Sequence, residues 1–208
     1  MAIIRAHPAN FAPGAEVEYS DSNYILLQLI VEQLTRQSLG TVIKEKILDP
    51  EKLDRTSSPT SSDLPAPFTR GHLGQPLGPP RDVTISNPDA GAGAGAMVSS
   101  LDDLKHWAKG LATGKELSHK LQHERLRKRP LVTGRVTLGY GLGIIDLNGF
   151  LGHNGGILGY STAMFYLQEE DVTIVVEANQ DNVGSVVGTA IFVSIASYLY
   201  PEQFPKGA

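Results

Sequence analysis

Residues 150–178 read FLGHNGGILGYSTAMFYLQEEDVTIVVEA. Phe150 to His153 and Tyr160 to Leu167 have the composition of strands. Val172-Thr-Ile-Val-Val-Glu is rich in the β-branched residues that pleated, half-buried surfaces favour. Short links separate these segments, and Thr137 to Leu147 adds another strand before them. The run therefore predicts successive antiparallel strands joined by tight turns. Helical patterns lie upstream, and a last helix over about Gly184 to Tyr200 follows. Helices, then a block of strands, then a helix is the order of an α+β fold, an antiparallel sheet flanked by helices.

Upstream, Phe11-Ala-Pro-Gly14 is a turn. Tyr24 to Gln37 has helical spacing, with Ile25, Leu26, Leu29, Ile30 and Leu34 able to share a face and Asp21 or Ser22 as N-cap. A second helix over Leu39 to Leu48 is expected to stop at Asp49-Pro50, because the residue before proline disfavours the helical region. Ser100 followed by Asp103 resembles a capping box opening a helix from Leu101 to about Lys109, ended by Gly110. Glu116 to Leu126 is a further helix, and the basic run Arg125 to Arg129 is its solvated end. Between these lies Arg55 to Ala96, dominated by Pro, Ser, Gly and Thr. It is either a working loop wrapped over a site or a partly disordered insert in one domain spanning residues 1–208.

Composition narrows the function classes. Of 208 residues, 41% are apolar and 19% charged, the balance of a folded chain rather than a disordered one. A net charge of -4 gives no basic footprint for nucleic acid. The absence of cysteine excludes disulfides, zinc-thiolate sites and a cysteine nucleophile. Met1 to Pro8 has no apolar core of signal-peptide length, which leaves the compartment open. Val183 to Tyr200 carries glycines and hydroxyl residues without basic flanks, so it reads as a buried helix rather than a membrane span. His119 and His123 are four apart, but without an adjacent Glu and amid Lys120, Arg125 and Lys128 they read as a solvated face, not a metal site. Gly91 to Gly95 lacks the Gly-Lys-Ser/Thr of a phosphate loop. No metal or cofactor is expected.

Two clusters can carry chemistry. Tyr19-Ser20-Asp21 stands at a turn into a helix, where a phenol can face a cleft and, with a cation lowering its pKa, act as a general base. The plain alternative is an ordinary half-buried tyrosine. Gly152-His153-Asn154-Gly155-Gly156 ends a strand. Its glycines allow close approach of a substrate to the backbone, Gly156 can offer an N–H as an oxyanion donor, and His153 can polarise or position the substrate. The plain alternative is a glycine-rich hairpin with a surface histidine.

The order of the clusters adds to this. Together with Phe11 to Leu27, Ile47-Leu-Asp-Pro50, Ala94 to Trp107, Gly139-Tyr-Gly-Leu-Gly143 and Gly152 to Thr162, the chain resembles the serine β-lactamase-like, penicillin-binding family. The likeness is to the branch of class C β-lactamases, D-alanyl-D-alanine carboxypeptidases and family VIII esterases. That resemblance implies a β-lactamase/transpeptidase-like fold and an acyl-enzyme route to hydrolysis of an amide or ester. Position by position, it makes Tyr19 the proton-transfer tyrosine, His153 the third-motif residue and Gly156 half of the oxyanion hole. Asp21, Asn154 and Gly155 contribute to substrate binding, with Asp21 standing where most members have Asn. The expected ligand is a small-molecule or peptide substrate.

The family's nucleophile motif is Ser-x-x-Lys. No lysine among residues 1–208 has a serine three positions earlier, and the nearest pattern, Thr41-Val-Ile-Lys44, lies inside a helix after the second motif. Two expectations follow: a chain truncated from a longer hydrolase, which we favour, or an inert protein of the same fold. Either leaves a sheet edge and part of the core uncovered, open to association with a missing N-terminal half or a second copy.

Overall fold

The computed structural model describes residues 6–59, 61–74, 78–84, 88–133, 136–180 and 186–204. Helix α1 spans Asp21–Thr35. Its N-cap is Ser20, in extended backbone and without a side-chain capping bond, rather than Asp21 or Ser22. Asp21 instead occupies the first turn, where the helix dipole favours a carboxylate. Helix α2 (Leu39–Ile43) continues through a π-helical turn, Lys44–Leu48, into the single turn α3, Asp49–Glu51. The expected stop at Asp49-Pro50 is thus displaced. Pro50 sits in α3 directly after the π-helical turn, and the stretch ends at Lys52 in left-handed backbone.

Helix α4 spans Leu101–Thr113. Ser100 caps it as predicted, its side chain accepting from the Asp103 N–H. It runs through Gly110, however, and ends at Gly114, whose φ of 71° supplies the left-handed cap. Helix α5 is shorter than expected, His119–Arg125, capped by Ser118. In the insert, strands β1 (His72–Leu73) and β2 (Arg81–Asp82) pair, and a kinked 3-10 stretch covers Pro88–Ala94.

The main sheet has six antiparallel strands in chain order: β3 Arg129–Thr133, β4 Val136–Tyr140, β5 Ile145–Leu147, β6 Phe150–Ile157, β7 Tyr160–Leu167 and β8 Val172–Ala178. The architecture is α+β, as read from the sequence. Three details differ. Thr137 to Leu147 is two strands divided at Gly143 (φ 70°), Arg129 belongs to β3 rather than to a helix end, and β6 continues through the glycine cluster. Eight consecutive pairings with β7, from Phe150↔Leu167 to Ile157↔Tyr160, hold the glycines extended against their weak strand preference.

Helix α6 (Val186–Leu199) packs on one face of the sheet; the expected start at Gly184 lies outside the described residues. Its Phe192 is fully buried, with ring centroids 4.5 Å from Phe165 and 5.4 Å from Phe150. Such pairs add roughly 0.5–1.5 kcal/mol each beyond area burial. Helix α4 also lies along β6, β7 and β8, with Ala108 and Ala112 buried. The expectation of a buried last helix holds for its inner face; on its outer face Ile191, Ile195 and Tyr198 are exposed, as are Ile30 and Leu34 on α1. Among the described residues, β8 pairs with β7 alone and forms one edge of the sheet. Among the described residues, no helix is long and apolar enough to cross a membrane.

Glu51 ties α3 to the bundle. Its carboxylate is buried and bonded by Lys115 Nζ (2.8 Å) and His106 Nε2 (3.0 Å). Bonding from Glu116, then from Lys115, holds it at about 2. A carboxyl whose pKa falls on folding stabilises the fold above its unfolded value, near 4.5, and loses that contribution as the pH drops toward 2. Exposed Glu116, pushed up by Glu51, contributes in the opposite sense. Glu51→Gln is expected to lower the melting temperature at pH 7 by about 3–12 °C, the size of a lost charged hydrogen bond in a chain this long. Melting curves of both proteins should converge as the pH approaches 2.

Candidate active site

Tyr19 ends an extended segment that meets α1 at Ser20. Its side chain is half exposed, and its ring centroid lies 5.6 Å from Tyr24, 6.2 Å from Tyr140 and 6.1 Å from His153. These residues come from α1, β4 and β6, so folding brings the two sequence clusters to one place. Burial, and then the neighbouring Asp21 carboxylate, push the Tyr19 phenol up to about 12. At neutral pH it is a proton donor. A cation placed beside it is needed before it can serve as a base.

His153 has both ring nitrogens engaged. Nδ1 lies 2.6 Å from the Asn154 carbonyl, and Nε2 lies 2.9 Å from the Tyr140 hydroxyl. The Tyr140 hydroxyl is in turn 2.6 Å from that of Tyr24. Burial lowers the His153 pKa, favouring the neutral ring, and burial together with the Tyr24 bond raises that of Tyr140. Tyr24 and Tyr140 were not singled out from the sequence. The usable signal was a hydroxyl-bearing aromatic in each of the quoted segments, Tyr24 in the first turns of α1 and Tyr140 closing a strand before Gly141.

The glycine cluster separates into distinct parts. Successive strand residues point to opposite faces, so Asn154 turns away from His153 and gives its amide to Thr189 Oγ1 of α6 at 3.1 Å. The part of Asn154 that joins the cluster is its carbonyl. Gly155 pairs with Thr162 and Gly156 with Ser161. The two-residue link Leu158-Gly159 places Ile157 opposite Tyr160, so Ile157, Gly155 and His153 share the ladder bonds with β7 and the Gly156 N–H points away from it. β5 ends opposite Gly152. Gly156 is therefore exposed on a stretch of β6 that no described strand covers on that side.

The insert borders this end of the sheet. Tyr160 donates to the Thr69 carbonyl (2.8 Å), the Asn179 amide donates to the Arg70 carbonyl (2.9 Å), and the His72 N–H donates to the Asn179 carbonyl (3.0 Å). The described part of this segment lies beside the β6–β7 hairpin. The 3-10 stretch packs on α1, and the Gly93 N–H donates to Gln28 Oε1 at 2.7 Å. A Cβ on Gly93 would lie 2.7 Å from the Tyr24 carbonyl, so glycine is required for this approach. Among the described residues, no group of three or more His, Asp or Glu side chains forms a metal-binding set.

Comparison with known proteins bears on the family and the fold. A family model described as beta-lactamase matches residues 1–194. An unguisins hydrolase from Aspergillus campestris is 24% identical over 192 residues, covering 86% of this chain and 36% of that protein. Among solved structures, a D-stereospecific amidohydrolase from a Streptomyces species superposes with a TM-score of 0.82 at 27% identity, over 100% of this chain and 60% of that one. A D-amino acid amidase from Ochrobactrum anthropi gives a TM-score of 0.80 at 20% identity, over 96% of this chain and 62% of that one. The chain thus spans about a third of the length of the curated hydrolase and about 60% of the amidohydrolase. With the match running nearly from end to end, and the fold and order of segments agreeing with it, this chain belongs to the beta-lactamase family.

Proposed function

We propose that residues 1–208 are the part of a serine hydrolase, organised as one partial domain, that carries the proton-transfer tyrosine, the substrate wall and one oxyanion donor. The nucleophile comes from a Ser-x-x-Lys segment outside these residues. The observation that carries this reading is the convergence of Tyr19 and His153, 6.1 Å apart between ring centroids, near the strand that holds the exposed Gly156. The reaction is attack of a serine on an amide or ester carbonyl, followed by hydrolysis of the acyl-enzyme. Tyr19 passes the proton between nucleophile and leaving group, and the lysine of the missing motif is the cation that lowers its phenol. The Gly156 N–H stabilises the oxyanion, and the insert around Thr69 to His72 shapes the choice of substrate. An amide is the favoured substrate, given the 27% identical amidohydrolase; a D-alanyl peptide, a β-lactam and an ester share the same machinery. The β8 edge and the exposed apolar positions of α6 and α1 are where the complementing segment, or a second copy, docks.

By itself the 208-residue chain is inert under this reading. A fluorophosphonate or a fluorescent penicillin should give no stable covalent label on it. A chimera carrying the Ser-x-x-Lys segment of the Streptomyces amidohydrolase ahead of residue 1 should label and should hydrolyse a D-amino acid amide. Labelling of the unfused chain would overturn the assignment of the nucleophile to another segment. A folded chimera inert toward amides, β-lactams and esters would overturn the hydrolase reading, in favour of a non-catalytic binding protein.

A further inference from the structure

Four groups from three elements stand in one line of hydrogen bonds: Tyr24 of α1, Tyr140 of β4, His153 of β6 and the Asn154 carbonyl. The carbonyl end and a neutral imidazole determine its direction. A carbonyl only accepts, so His153 Nδ1 carries a hydrogen and donates it to Asn154. In a neutral imidazole Nε2 then bears a lone pair and accepts from the Tyr140 hydroxyl. With its hydrogen spent on Nε2, Tyr140 accepts from Tyr24. The Tyr24 oxygen is left with acceptor capacity, its ring centroid 5.6 Å from that of Tyr19.

We propose that Tyr140 and Tyr24 are positioning residues for His153. The hydroxyl chain Tyr24→Tyr140→His153 holds the imidazole neutral, in the Nδ1–H tautomer and in one orientation. His153 then borders the site as a ring with both nitrogens occupied, and it acts on substrate through the hydroxyl chain rather than by its own N–H. The catalytic meaning of this arrangement rests on the hydrolase reading above, but the arrangement itself does not. Plain packing is the competing explanation, since the Tyr140 and His153 rings meet edge to face at 5.8 Å between centroids. Phenylalanine keeps that contact and removes only the hydroxyl, so Tyr→Phe variants separate the two. The titratable groups grouped with the ring are Tyr140 and Tyr19, with Tyr24 and Asp21 beyond them.

The test is nitrogen-15 NMR of the histidines in the 208-residue chain, which reports tautomer and titration without any need for catalysis. His153, assigned by its loss in His153→Gln, should show a protonated Nδ1 and a bare Nε2. Tyr140→Phe withdraws a bond that favours the neutral ring, so the His153 pKa should rise by about one unit, the equivalent of one hydrogen bond. Tyr24→Phe should shift it less in the same direction, and should add nothing in the Tyr140→Phe background. A wild-type Nε2–H tautomer overturns the proposal. So do Phe variants that leave tautomer and titration unmoved. If Tyr140→Phe fails to fold, the wild-type tautomer and Tyr24→Phe decide the matter. An inert chimera with the expected NMR pattern rejects the hydrolase reading and keeps this one.

Discussion

If the proposed hydrolase reading holds, Tyr19→Phe is expected to lower kcat of the chimera by about 100- to 10,000-fold, the usual worth of a positioned proton carrier. The substitution keeps the ring and its contacts at 5.6 Å to Tyr24 and 6.1 Å to His153, so the fold and substrate binding should survive. KM should accordingly move by less than about threefold while kcat falls, the pattern of an interaction made in the transition state alone. The expectation has a physical basis in the isolated chain: burial first, and then the Asp21 carboxylate and Tyr24, push the phenol up to about 12. Only a cation brought close can reverse that sign. Steady-state kinetics with a D-amino acid amide, beside a melting curve for each protein, check the claim. Retention of kcat within about threefold would mean that Tyr19 is a wall residue and that the proton moves elsewhere.

The second large effect concerns stability. Gly152→Ala should destabilise the chain by about 3 kcal/mol or more, a fall in melting temperature on the order of 6–12 °C. A Cβ there would stand 2.0 Å from the Met164 carbonyl oxygen and 2.8 Å from the Phe165 Cα. Both are backbone atoms of β7, so relief requires β6 and β7 to part. Gly155→Ala, three residues along the same strand, is expected to change stability by less than about 1 kcal/mol, because its nearest neighbour would be Thr162 Cβ at 4.0 Å. Chemical denaturation of the two variants side by side gives the comparison. Equal losses would mean that the glycines matter through chain entropy rather than through this contact.

Those two glycines also mark the limit of what the sequence discloses. Gly152 and Gly155 look alike in the pentapeptide, yet a Cβ on one would collide with the partner strand and a Cβ on the other would not. The difference is set by β7, which no local pattern reports. Features with a local cause were legible: the strands β7 and β8 from their residue types, and the Ser100 cap from its spacing to Asp103. Strand β6 ran past its expected end because pairing with β7 outweighs glycine's propensity, and α4 ran past Gly110 because the left-handed position falls at Gly114. Tyr19, His153 and Gly156 were nameable through the ordered likeness to a family. Tyr24 and Tyr140 were not, because their link joins hydroxyls whose proximity depends on α1 docking beside β4.

The order β3-β4-β5-β6-β7-β8 pairs every strand with its neighbour in the chain. Each hairpin closes a short loop, so the sheet has the low contact order that favours rapid assembly. Tyr140, His153 and Gly156 all ride on this meander, and their relative placement is available as soon as the hairpins form. Tyr19 and Tyr24 arrive on a segment synthesised long before it, and their approach closes the longest loop in the site. The two halves of the candidate site are therefore expected to differ in folding history: one assembled locally and early, the other by a later long-range docking. Mutations at that docking surface should slow completion of the site while leaving formation of the sheet untouched.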